Sequence, residues 1–139
     1  MITLEQYFMG RDKTYAADLT PDIIRNATDL VERVNRLIER MGSAVTWEND
    51  PDTRSLVSSG WRPPAINAAT RGAAKRSNHM TGLAVDLYDP DGDLDDWLLN
   101  HLPAIGGEFG LYLEHPSATK GWAHLQSVPP GSGRRVFYP

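Results

Sequence analysis

Ser77-Asn78-His79-Met80-Thr81-Gly82-Leu83-Ala84-Val85-Asp86-Leu87-Tyr88 sets a histidine seven residues ahead of an aspartate, with a glycine between them. From Leu83 onward the residues alternate, with Leu83, Val85 and Leu87 on one side and Ala84, Asp86 and Tyr88 on the other. This is the period of a half-buried strand, so the face opposite the apolar one carries Asp86. A charge in the middle of such a strand is costly to bury unless it is paired or binds a metal. Gly82 lets the backbone turn, or pass close to another segment, where the strand begins. His79, on the loop leading in, can then fold back toward Asp86. Taken alone, the stretch is equally well read as a surface histidine and a solvated aspartate.

Two later stretches change that balance. In Leu111-Tyr112-Leu113-Glu114 the leucines share one face and Tyr112 and Glu114 the other. In Trp122-Ala123-His124-Leu125-Gln126, Ala123 and Leu125 take the core side and leave Trp122, His124 and Gln126 opposite. Three short strands thus each present an acid–base or metal-competent side chain on what can be one shared face. The chain contains no cysteine, so a transition-metal site has to be built from His, Asp and Glu. His79, Asp86 and His124 make a set of three that leaves a fourth position open, as catalytic zinc requires. Zinc lowers the pKa of a bound water to about 7 and polarises a carbonyl, the two tasks of amide hydrolysis. A general base must also carry the water's proton to the leaving amine. Glu114 is the best placed, with His115 second, whereas His101 ends a helical stretch as a capping or surface residue. Arg62 suits a bidentate grip on a peptide carboxylate, with an ordinary salt bridge as the alternative.

The remaining elements frame this face. Thr20-Pro21-Asp22 is a helix start, with a capping threonine, a first-turn proline and an acid. Ile23, Ala27, Leu30, Val34, Leu37 and Met41 follow at helical spacing, widened by Ile24, Val31 and Ile38, and Gly42 supplies the stop. Residues 1–19 read as a polar lead-in draped over the domain, with Tyr7, Phe8, Met9 and Tyr15 as candidate anchors. Residues 43–54 form a connection, and Ser55 to Arg62 a short strand ended by Pro63-Pro64. Residues 65–78 read as a long loop whose Arg71, Lys75 and Arg76 make a local positive patch. Asp89-Pro90-Asp91-Gly92 is a turn lacking the spacing of a calcium loop. A short helix begins at Asp93 or Asp95 and ends before Pro103, and Ala104 to Gly110 is a turn-rich connection. A final hydrophobic pair pins the tail. The 139 residues suit one domain, residues 1–139. The class is α+β, a small antiparallel sheet packed against helices.

A net charge of -4 gives no electrostatic case for nucleic-acid binding, and with no phosphate-gripping motif it disfavours a metal nuclease. No apolar run approaches the roughly 20 residues that span a bilayer, and the first residues lack a secretory signal. The expectation is a monomer made in the cytosol, which it leaves only with outside help.

Ser59-Gly60-Trp61-Arg62, the His79-to-Asp86 stretch and Trp122-Ala123-His124 together resemble the M15 family of zinc peptidases. That family includes D-alanyl-D-alanine carboxypeptidases and phage L-alanyl-D-glutamate endopeptidases, and it shares its fold with the hedgehog signalling domain. The resemblance implies that His79, Asp86 and His124 bind Zn2+ and that Arg62 contacts substrate. It implies that Ser77 supports the ligand loop, and it makes Ser77 and Trp122 substrate-binding candidates beside Arg62. The implied substrate is a peptidoglycan stem peptide, held by Arg62 and the basic patch. The short chain without a signal resembles the phage or prophage branch, whose lytic enzymes act on the cell wall after release from the cytosol. Two positions depart from the pattern. Many members carry a catalytic glutamate three residues before the last histidine, where this chain has Gly121, and others an aspartate two residues after it, where it has Gln126. Glu114 as the base therefore rests on strand geometry, and a hedgehog-like zinc module without hydrolysis is the alternative.

Overall fold

The computed structural model describes Met1–Pro139. Five helices, α1 (Leu4–Phe8), α2 (Arg11–Thr14), α3 (Pro21–Met41), α4 (Pro64–Ala69) and α5 (Asp93–Phe109), accompany five strands. These are β1 (Val57–Ser59), β2 (Ala84–Asp89), β3 (Tyr112–Glu114), β4 (Gly121–Gln126) and β5 (Val136–Phe137).

α3 forms where its signals place it. The Thr20 hydroxyl accepts the Ile23 N–H at 3.2 Å, Pro21 opens the first turn and Gly42 closes the last. Its buried stripe runs Ala27, Leu30, Val31, Val34, Leu37, Ile38 and Met41, while Ile24 turns outward. Each fully buried leucine or valine here contributes about 1.5–3 kcal/mol, so packing rather than helix propensity holds the element.

The sheet order is β1-β2-β4-β3-β5. The β1–β2, β2–β4 and β3–β4 pairs are antiparallel, and β5 joins β3 in parallel, which makes the sheet mixed. Val85, Leu87, Leu113, Ala123 and Leu125 face one apolar cluster shared with α3 and α5. The opposite face is left free to carry polar side chains. The α+β class with a small sheet on helices stands.

The lead-in is held by two of its aromatic anchors: Tyr7 is fully buried, its hydroxyl donates to the Ala84 carbonyl at 2.9 Å, and Phe8 packs edge-on to Trp61. Two local expectations are corrected. The stretch read as a loop begins with α4, started by Pro64, and His79 rides a 3₁₀ turn over Asn78–Thr81 that ends at Gly82 with φ +77°. α5 runs through Pro103 to Phe109 instead of stopping. Pro103 is exposed, and Leu94, Leu98, Leu102 and Phe109 form a continuous buried stripe on the other side, whose packing outweighs the missing N–H. Gly106 is no turn residue. A Cβ there would stand 2.3 Å from Cδ of Arg135, which crosses the helix at this point.

Candidate active site

One rung of the sheet assembles the site. Ser59 of β1 pairs with Asp86 of β2, and Asp86 pairs with His124 of β4. The register of β3 on β4 sets Glu114 beside His124, and Glu114 in turn pairs with Phe137 of β5. Pairing opposite residues points their side chains to one face, so the period-2 pattern of three strands becomes a row of functional groups. His79 arrives from the 3₁₀ turn, whose cap is the Ser77 hydroxyl accepting the His79 N–H at 3.2 Å.

Asp86 is the hub. Its Oδ1 lies 3.2 Å from His79 Nε2 and 2.9 Å from His124 Nδ1. Its Oδ2 accepts from the Arg62 guanidinium at 3.2 Å. Burial opposes ionisation of Asp86, but the adjoining His79 and His124 rings outweigh it and hold the carboxyl well below the usual carboxylate range.

The outer hydrogen bonds determine which ring nitrogens carry protons. His79 Nδ1 faces the Gly60 carbonyl at 2.8 Å, and a carbonyl can only accept, so in the neutral ring Nδ1 bears the proton and Nε2 points its lone pair at Asp86. Gln126 does the same for His124. Its amide nitrogen donates to the Val128 carbonyl at 2.8 Å, which turns its Oε1 toward His124 Nε2 at 3.0 Å. In the neutral ring Nε2 therefore keeps the proton and Nδ1 points its lone pair at Asp86. Two imidazole lone pairs and a carboxylate oxygen then converge, all within 4.8 Å of one another. Three acceptors facing a common point need a cation between them. Two nitrogens and an oxygen suit zinc, so the residues fit the metal. The protonation of His124 reflects the same deficit. Burial works against its charge, but Asp86, the Gln126 oxygen and Glu114 outweigh burial and hold the ring's pKa above the ordinary histidine value.

Glu114 Oε2 stands 3.9 Å from His124 Nδ1. Burial pushes its carboxyl pKa up; His124 and His79 oppose this and Asp86 adds to it. The rung lies in a cleft of about 330 Å³ whose walls include Arg62, Arg71, Arg76, Ser77, Trp122 and Phe137. Arg62 is largely committed, since besides Asp86 its Nε donates to Ser59 Oγ at 3.1 Å and its backbone N–H to the His79 carbonyl at 3.1 Å.

Every candidate read from the sequence for metal, base or substrate contact thus borders this cleft, except His115, His101 and Lys75 of the basic patch, which does not line it. His115 turns away to Ser117 and stacks on Tyr138, and His101 is exposed within α5, stacked on Trp97. Phe137, edge-on to the His124 ring with centroids 6.4 Å apart, was foreseen only as a tail anchor. The Gln126–His124 contact was legible as two residues on one strand face, but its sense depends on Val128.

The peptidase M15 family model matches residues 15–118. The matched segment contains Arg62, His79, Asp86 and Glu114, while His124 lies beyond it. No curated protein and no solved structure matches the chain. On that match, which spans most of its length, the chain belongs to the M15 peptidase family of zinc-dependent metallopeptidases.

Proposed function

We propose that the chain hydrolyses amide bonds in peptidoglycan stem peptides, as an endopeptidase or carboxypeptidase, and that it is a cell-wall lytic enzyme of phage or prophage type. The observation that carries a hydrolytic reading is the convergence of three metal-competent acceptors beside a partly buried glutamate, all open to one cleft. His79, Asp86 and His124 would hold zinc, which when bound polarises a carbonyl and acidifies a water.

The chain's own groups do the rest. Gly60 and Gln126 fix the tautomers, so neither imidazole has to reorganise when metal arrives. Arg62 holds Oδ2 of Asp86, leaving Oδ1 for the metal side. Glu114 takes the proton of the attacking water and returns it to the leaving amine. Its upward-shifted pKa moves it toward the pH at which it must do both. The position used for a base in many members is Gly121, an exposed glycine at φ +99° that offers no side chain.

The test is incubation of the purified protein with peptidoglycan sacculi, with and without a chelator, and mass spectrometry of what is released. Chelator-sensitive release of stem-peptide fragments is expected, and the new ends name the bond. No release from any wall type by a protein holding one zinc per chain would replace this reading with the hedgehog-like binding module.

A further inference from the structure

Beside the buried Asp86 and half-buried Glu114 the cleft is lined by two exposed cations, Arg71 and Arg76. Between Asp52 and Asp86 the sequence contains no acid at all, while Arg54, Arg62, Arg71, Lys75 and Arg76 fall there, in a chain of net charge -4. The arginine ion pairs of the protein are Arg25–Asp22, Arg33–Asp29, Arg40–Glu108 and Arg62–Asp86. Arg71 and Arg76 belong to none of them, and both line the cleft. Arg62, the expected clamp, has two of its three guanidinium nitrogens occupied by Ser59 and Asp86.

The backbone that presents the lip is held rather than loose. Buried Asn67 donates to the Ala74 carbonyl at 2.9 Å, the Thr70 hydroxyl to Ile66 at 2.7 Å and the Ala73 N–H to Thr70 at 3.2 Å. Arg76 directly precedes Ser77, whose hydroxyl caps the turn that carries His79. Two guanidinium groups outside every ion pair are thus displayed on a fixed turn, joined covalently to the metal-binding loop.

We propose that Arg71 and Arg76 form an anion subsite at the mouth of the cleft that binds a substrate carboxylate remote from the scissile amide. This rests on the stem-peptide reading above and narrows it to stem peptides that keep a free side carboxylate, in preference to amidated ones. Guanidinium–carboxylate pairs at an exposed site are worth about 1.4- to 5-fold each in affinity, so the two together span about 2- to 25-fold, a preference on the order of 10-fold that salt weakens.

The test uses two peptides, N-acetyl-L-alanyl-γ-D-glutamyl-L-lysine amide with its glutamyl α-carboxylate free and the same peptide with a carboxamide there. Binding of each to the zinc-loaded protein is measured by titration, for the wild type, for Arg71→Ala/Arg76→Ala and for Lys75→Ala, a cation of the same loop that does not line the cleft. The expected result is a free-acid preference of about 10-fold in the wild type and in Lys75→Ala. It falls to about 1 in the double variant, with zinc content unchanged. An undiminished preference in the double variant, or equal binding of the two peptides by the wild type, overturns the subsite and leaves the peptidase reading intact. Binding of neither peptide overturns the subsite, and the sacculus assay above then decides the peptidase reading by itself.

Discussion

Gln126 is the most exposed point of the account, because the metal-ready form of His124 is attributed to a neutral amide. Replacing it by leucine (Gln126→Leu) keeps much of the volume at a position only 4% exposed and deletes the oxygen that accepts from Nε2. The ring is then free to place its proton on Nδ1, where Asp86 Oδ1 waits 2.9 Å away, and that proton occupies the position zinc needs. Partners of ligating histidines typically contribute 10- to 100-fold in metal affinity, equivalent to about 1.4–2.7 kcal/mol. A net value of about 0.5–1.5 kcal/mol for the lost hydrogen bond, plus the penalty of the competing tautomer, leads to the same range. Zinc affinity measured by competition with a chromophoric chelator should fall by that factor in Gln126→Leu. It should return in Gln126→Glu, whose carboxylate accepts from the same nitrogen. Wild-type affinity in a folded Gln126→Leu protein would refute the reasoning.

Three further outcomes follow from the geometry. Glu114→Gln should abolish hydrolysis of sacculi while retaining one zinc per chain, read by elemental analysis beside the activity. Gly60→Ala should lower the melting temperature by roughly 10 °C, about 3 kcal/mol, because its Cβ would stand 1.8 Å from the Tyr7 carbonyl oxygen; thermal unfolding checks this. Asp95, buried and bonded to the Thr119 hydroxyl at 3.1 Å, has its carboxyl pushed up to about 7. Burial is the main cause, opposed by Thr119 and reinforced by Asp89, Asp96 and Glu114. The folded state keeps this proton where the unfolded chain releases it, so stability is lost as pH rises from about 4 to 7. The loss relative to Asp95→Asn is about 2–4 kcal/mol, measurable by denaturant titration across that window.

What could be read in advance was whatever is encoded locally. The Thr20-Pro21 start, the stripe from Ala27 to Met41 and Gly42 are all short-range signals, and α3 follows them. The strands around Asp86, Glu114 and His124 were legible because period-2 alternation assigns faces without knowing the neighbours, and their shared face follows from the register. The misreadings lie where distant contacts override local preference. Pro103 and Gly106-Gly107 argue for a break, yet the Leu94-to-Phe109 stripe and the crossing Arg135 keep the helix whole. Tyr7 was legible as an anchor of the lead-in, but not that its hydroxyl would meet the Ala84 carbonyl of β2. Arg62 read equally as clamp or salt bridge, and its bond to Asp86 comes from the fold bringing β1 beside β2.

The central claim is that His79, Asp86 and His124 hold the metal at which the peptide is cut. The most direct measurement is a zinc titration of metal-stripped protein acting on sacculi, with fragment release and bound zinc followed together. The account predicts that release rises in step with zinc up to one equivalent and then levels, and that His124→Ala neither binds that equivalent nor releases fragments. Full release from the metal-stripped protein, or undiminished release by His124→Ala, would contradict it.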